Sequence, residues 1–345
     1  MVLPKKCVMN SEEDRSLDSL RRKMLSPKRL AFQLVGFLLG ALLLGYCIKI
    51  AFFGNSDWSG IKSASPLMIA GLLGTGLLGT ILDGLVFWGI IRPYHRLKVM
   101  DVQAVNMSAA CMNYAPVRLG TIFRILYHAR VDRVPIVPIL AWFVAIIITT
   151  GACLGSVVMA IVIMGDPGIG WAIVLGLSMA VSGFAIWVLA RIPLVIRYAK
   201  GVDKMFGDPR ALVAGMVGRL LVLANGCIRM GIAAQILGIG LGSNEVILLS
   251  VAALIISFNP LGRFGWREAA VAFITAKFAS DSLGGQDVSA IATQLALVES
   301  AGEALVVVPL GIATSIWAFV RLMKNRRDGD VTNSPEALDA GHRQV

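Results

Sequence analysis

The chain has 345 residues, of which 57% are hydrophobic and 15% charged, with a mean hydropathy of +0.75 and a formal net charge of +11. Soluble domains carry about 45–50% apolar and 25% charged residues, so this composition excludes a soluble globular protein and points to a polytopic membrane protein. The positive charge sits mostly in tails and short loops, where it sets membrane orientation, and gives no reason to expect nucleic acid as a partner.

The polar stretch 1–28 is too long and too acidic for the start of a signal peptide, and reads as a cytoplasmic tail. Arg21, Arg22, Lys23, Lys28 and Arg29 lead into a first span from Leu30 to Phe53, long enough for the roughly 20 residues a bilayer needs. Gly54–Ser65 carries little positive charge. A second span runs from Pro66 to Ile91, with Gly71, Gly74, Gly76 and Gly79 spaced to let a neighbouring helix come close. Asp83 lies in this span, either as the partner of an arginine or as an acid near the helix end. Arg92, His95, Arg96 and Lys98 place the following turn in the cytoplasm.

The apolar region 104–130 is broken at Pro116 and Gly120. Each arm is too short to cross, so a hairpin that enters and leaves on the cytoplasmic side fits better. Spans three and four follow at Pro135–Met164 and Trp171–Ala190, joined by a tight Gly165–Gly170 turn. A basic inner loop, 191–210, leads to a fifth span, Ala211–Leu237. Asn225 and Arg229 share a face of that span; Arg219 is either a snorkelling end residue or a buried one.

The region 245–280 repeats the earlier pattern. The arms Val246–Phe258 and Glu268–Ala279 flank a break at Asn259, Pro260, Gly262 and Gly265, and the linker Ser280–Asp287 has no positive charge, so this hairpin enters from outside. The last span covers 288–322, with Glu299 and Glu303 on one face and Pro309 as a candidate kink. Residues 323–345 read as a polar, disordered cytoplasmic tail. The expected fold is an all-α polytopic membrane protein with six transmembrane helices, two re-entrant hairpins in an inverted-repeat arrangement and one membrane domain over 29–322.

Intramembrane arginine is costly and marks function by default. In or near the membrane the cations are Arg118, Arg124, Arg219, Arg229, Arg263, Arg267 and Lys277, against the anions Asp83, Glu268, Glu299 and Glu303. A positive surplus in a wet cleft suits an anion, and the guanidinium fork suits phosphate. The substrate-binding candidates are Arg118, Arg124, Arg229, Arg263 and Arg267 with Asn113 and Asn259. Asp83, Glu268, Glu299 and Glu303 would balance charge or exchange protons, and Pro116, Gly120, Pro260, Gly262 and Gly265 would act as hinges. The scattered cysteines and the distant His95, His128 and His342 suggest no metal or cofactor, and no catalytic motif is present.

Asn113, Pro116, Arg118, Gly120 and Arg124, together with Pro260, Gly262, Gly265, Arg267, Glu268 and Ala269, resemble the membrane domain of lysylphosphatidylglycerol synthases and related flippase-like proteins. The likeness in layout covers about residues 30–322. The chain differs at Thr121, where the family often has Glu, and at Arg263, where a small residue is common. The resemblance implies movement of an anionic phospholipid or lipid-linked headgroup between leaflets of the bacterial cytoplasmic membrane. In the family's bifunctional members a separate soluble domain transfers the amino acid, and no soluble stretch of this chain is long enough to be that domain; an oligomer and a separate enzyme that supplies the lipid stay open. The other readings are an integral membrane transferase acting on a lipid phosphate and an ion-coupled carrier of a small anion.

Overall fold

The structure, a computed structural model, describes residues 27–53, 58–115, 119–198, 201–258, 265–278 and 288–332. Of the expected site residues, Pro116, Arg118, Asn259, Pro260, Gly262 and Arg263 lie outside these ranges. Among the described residues all regular structure is helical: α1 (Pro27–Phe53), α2 (Ser59–Ser63), α3 (Pro66–Ile91), α4 (Val99–Met112), α5 (Leu119–Arg130), α6 (Ile136–Met164), α7 (Ile169–Leu189), α8 (Pro193–Tyr198), α9 (Val202–Gly207), α10 (Pro209–Ile236), α11 (Ser243–Ile256), α12 (Trp266–Phe278) and α13 (Val288–Thr332). Six of these, α1, α3, α6, α7, α10 and α13, are long and apolar enough to cross a bilayer. Large apolar side chains on α1 and α7 face outward, among them Phe32, Leu42, Ile173, Val181 and Phe184, as a lipid-facing surface requires. The protein is an all-α polytopic membrane protein.

The helix ends follow from local chemistry. Ser65 accepts a hydrogen bond from the Met68 amide ahead of Pro66, and Asp208 accepts one from the Arg210 amide ahead of Pro209. Both are side-chain caps followed by a proline that has no N–H to satisfy. Gly165, at φ +69°, ends α6 and begins the tight turn expected there.

Helices α4 and α5 form the first hairpin, and α11 and α12 the second. Their arms hold 12 to 14 residues, or about 18–21 Å, which falls short of a hydrocarbon core of about 30 Å. The spanning helices α6, α7 and α10 lie between the hairpins in the chain. With an odd number of crossings between them, and none made by the hairpins, the two enter from opposite faces. Gly120 lets the first hairpin close: a Cβ there would stand 2.0 Å from the Ala109 carbonyl oxygen. Gly265, at φ +77°, begins α12 against α1, where a Cβ would stand 1.7 Å from the Gly40 carbonyl oxygen. The Trp266 indole N–H then donates to the Gly36 carbonyl at 3.0 Å.

Some boundaries differ from expectation. The first hairpin arm begins at Val99, ahead of the apolar stretch, with Lys98 at the N-cap and the acid Asp101 in the first turn, where it suits the helix dipole. The inner loop contains the short helices α8 and α9. The last helix runs unbroken past Pro309 and on to Thr332, so residues 323–332, expected as tail, are helical. Hydropathy marks where a helix leaves lipid, and nothing in that stretch stops the helix itself. Residues 333–345 lie outside the described ranges.

Helix α13 is the spine between the hairpins. On one side Ser108 donates to Thr314 Oγ1 at 3.0 Å, and Asp101 meets Arg321 at 2.8 Å. On the other side α12 packs along the same helix. The apolar interior forms adjoining clusters. One gathers around Trp142, Ile90, Ile91, Met205 and Phe206, another around Leu72, Met230, Leu249, Val271 and Leu295.

Candidate functional site

A cavity of about 640 Å³ opens where these clusters adjoin. The tips of both hairpins line it: Asn113, Gly120, Thr121 and Arg124 from the first, Ser257, Phe258 and Arg267 from the second. Helices α3, α10 and α13 supply the rest of the polar wall through Thr80, Asp83, Arg219, Asn225, Arg229, Glu299 and Glu303. Four arginines and three carboxylates thus share one cavity among the described residues.

Three of the arginines engage carboxylates. Glu299 and Glu303, one turn apart on α13, each reach both Arg229 of α10 and Arg267 of α12. Arg229 Nε meets Glu299 Oε1 at 2.6 Å, and its Nη2 meets Glu303 Oε2 at 2.9 Å. Arg267 Nη2 also bonds Glu299 Oε1, while its Nη1 meets Glu303 Oε2 at 3.2 Å. The result is a closed ring of four alternating charges, all with little solvent exposure. Each carboxylate compensates two guanidinium groups, which makes burial of all four tolerable. The ring also joins the second hairpin to the bundle.

Arg219 is buried and bonds Asp83 at 2.7 Å. This settles the open reading of both residues: Asp83 is an arginine partner, and Arg219 is interior rather than snorkelling. The Asp83 side chain stays one-third exposed, at 33%, so water still reaches it. Replacing Asp83 with alanine strands the Arg219 guanidinium and is expected to cost about 1–3 kcal/mol, less with asparagine. Thermal unfolding in detergent reads the difference.

Arg124 differs from the other three. It donates to Asn106 Oδ1, and its guanidinium lies over the Phe87 ring, 3.6 Å from the centroid, and 5.9 Å from that of Phe143. The cation is held by an amide and by ring faces, with no carboxylate within ion-pair distance among the described residues. Glu268 stands apart from the other three acids. It is buried but does not line the cavity, and its Oε2 has no hydrogen-bond partner among the described residues.

The sequence reading missed two amides, Gln103 and Asn106, which act with Asn225. Gln103, Asn106 and Asn225 donate to the Ile81, Thr80 and Thr75 carbonyls of α3 at 2.8, 3.0 and 2.9 Å, using the second lone pair of each carbonyl. Each fixes its amide nitrogen on α3, and Asn106 thereby turns its oxygen to Arg124. The signal was present, since Gln103, Asn106 and Asn113 recur near helical spacing in an apolar arm. Asn113 lines the cavity at the end of α4, and its Oδ1 has no partner among the described residues. No group of His, Cys, Asp and Glu suited to a metal occurs among the described residues. Compared with known proteins, the chain matches no family model, no curated protein and no solved structure.

Proposed function

We propose that the protein is a lipid translocase of the bacterial cytoplasmic membrane, moving lipids with a phosphate-bearing headgroup between leaflets. The observation that carries this reading is one cavity, among the spanning helices, lined by the tips of two opposed hairpins and by Arg124, Arg219, Arg229 and Arg267. Its volume suits a headgroup rather than a whole lipid. Arg124 is the first contact for phosphate, because a charge-assisted bond to it displaces no carboxylate. The likeness to the membrane domain of lysylphosphatidylglycerol synthases supports the same reading, as does the inverted-repeat arrangement that the opposed hairpins suggest. The basic loops orient both termini to the cytoplasm.

A carrier of a small aqueous anion is the second reading. Leu140 and Ile147 of α6 weigh against it, since both are apolar, line the cavity and remain exposed. A cavity with such an edge suits cargo whose tails stay in lipid. Reconstituted vesicles with labelled phospholipid test this. Arg124→Ala is expected to slow leaflet exchange by about 10–100-fold, the value of one charge-assisted hydrogen bond. Exchange at the unaltered rate would remove Arg124 from the site.

A further inference from the structure

The ring of Arg229, Arg267, Glu299 and Glu303 lines the cavity assigned to the headgroup, and a second role for it rests on that reading. We propose that the ring is also a proton-binding site, in which an anion that engages Arg229 or Arg267 brings one proton with it onto Glu299 or Glu303. Each arginine already uses two of its nitrogens on the two carboxylates. A phosphate that takes a bidentate hold on the edge now facing the two glutamates, Nε and Nη2 of Arg229 or Nη1 and Nη2 of Arg267, displaces a carboxylate. Glu299 is only 1% exposed. A bare carboxylate in such a site carries a large desolvation cost. Adding one proton from the aqueous phase turns the displaced –COO⁻ into –COOH and removes that cost. The balance then closes, with two guanidinium groups against one remaining carboxylate and one phosphodiester.

The surrounding charges direct the proton to this ring. Facing Glu299 and Glu303 are Arg229 from α10 and Arg267 from α12, with the Ser300 hydroxyl 3.4 Å from Arg267 Nη1 as an alternative acceptor. Helix α12 also carries Glu268. Helix α3 carries Asp83, engaged with Arg219 and one-third exposed. Helix α4 carries Asp101, paired with Arg321 further along α13. Cargo and proton therefore occupy the cavity together, and a proton gradient biases the direction of movement.

The test uses the full chain in detergent with two probes, dihexanoyl phosphatidylglycerol and glycerophosphoglycerol, its deacylated headgroup. A phosphodiester keeps one charge through the neutral range, so any pH dependence belongs to the protein. Lipid affinity is expected to fall about tenfold per pH unit as pH rises, with about one proton taken up per lipid bound in weakly buffered solution. Glu299→Gln or Glu303→Gln flattens that slope, and Glu303→Asp keeps it. Should the glutamine variants fail to fold, proton uptake by the unaltered protein decides. Lipid binding that is independent of pH and takes up no proton overturns the linkage while leaving the translocase reading in place. Equal, pH-dependent binding of both probes supports the linkage and overturns the lipid reading. Failure of both probes to bind overturns both.

Discussion

Replacing Arg267 with alanine is expected to lower the stability of the detergent-solubilised protein by about 3–5 kcal/mol, the usual cost of leaving a buried charge without its partner. Arg267 is 2% exposed and bonds both Glu299 and Glu303. Its loss leaves two buried carboxylates sharing Arg229, and removes the bond that holds α12 against α13. The informative comparison replaces the whole ring, as Arg229→Met, Arg267→Met, Glu299→Leu and Glu303→Leu together. Apolar side chains of similar volume are expected to recover most of the lost stability and to abolish leaflet exchange. Thermal unfolding and vesicle exchange, measured on the same preparations, separate the two effects. A quadruple variant that still moved lipid would confine the ring to a structural role.

The second large effect is expected at Gly265. Alanine there must adopt φ +77°, which costs an L-residue about 1–2 kcal/mol, and its Cβ would overlap the Gly40 carbonyl oxygen. Helix α1 or α12 has to move, with a further cost of about 1–3 kcal/mol for the overpacked contact. Gly45 on the same helix α1 serves as the contrast, since nothing lies within 4 Å of a Cβ added there. Gly45→Ala is expected to leave stability unchanged or to raise it by up to about 1 kcal/mol through helix propensity. Melting curves of the two variants side by side check both statements.

Much of this arrangement could be read from residue order. Continuous apolar runs located the six crossings, and the prolines and glycines near 116–120 and 259–265 located two breaks whose arms could not span. The spacing of Glu299 and Glu303 put both on one face, and that of Asn225 and Arg229 did the same; all four line one cavity. The pairing could not be read. Arg219 and Asp83 are 136 positions apart, and Arg229 and Glu299 are 70 apart. Helix periodicity fixes the face that a charge occupies on its own helix and carries no information about the helix opposite. Arg124 escaped for a different reason: an aromatic face is a legitimate partner for a guanidinium, yet Phe87 in an apolar span looks like any other lipid-facing or packing residue.

The order in which the ring's members occur has a consequence for biosynthesis. Arg229 and Arg267 leave the ribosome before Glu299 and Glu303, so while α10 to α12 are being inserted neither arginine has the carboxylates that later neutralise it. The ring therefore cannot close until the C-terminal helix has been made. A chain halted ahead of residue 288 would hold both cations without either glutamate.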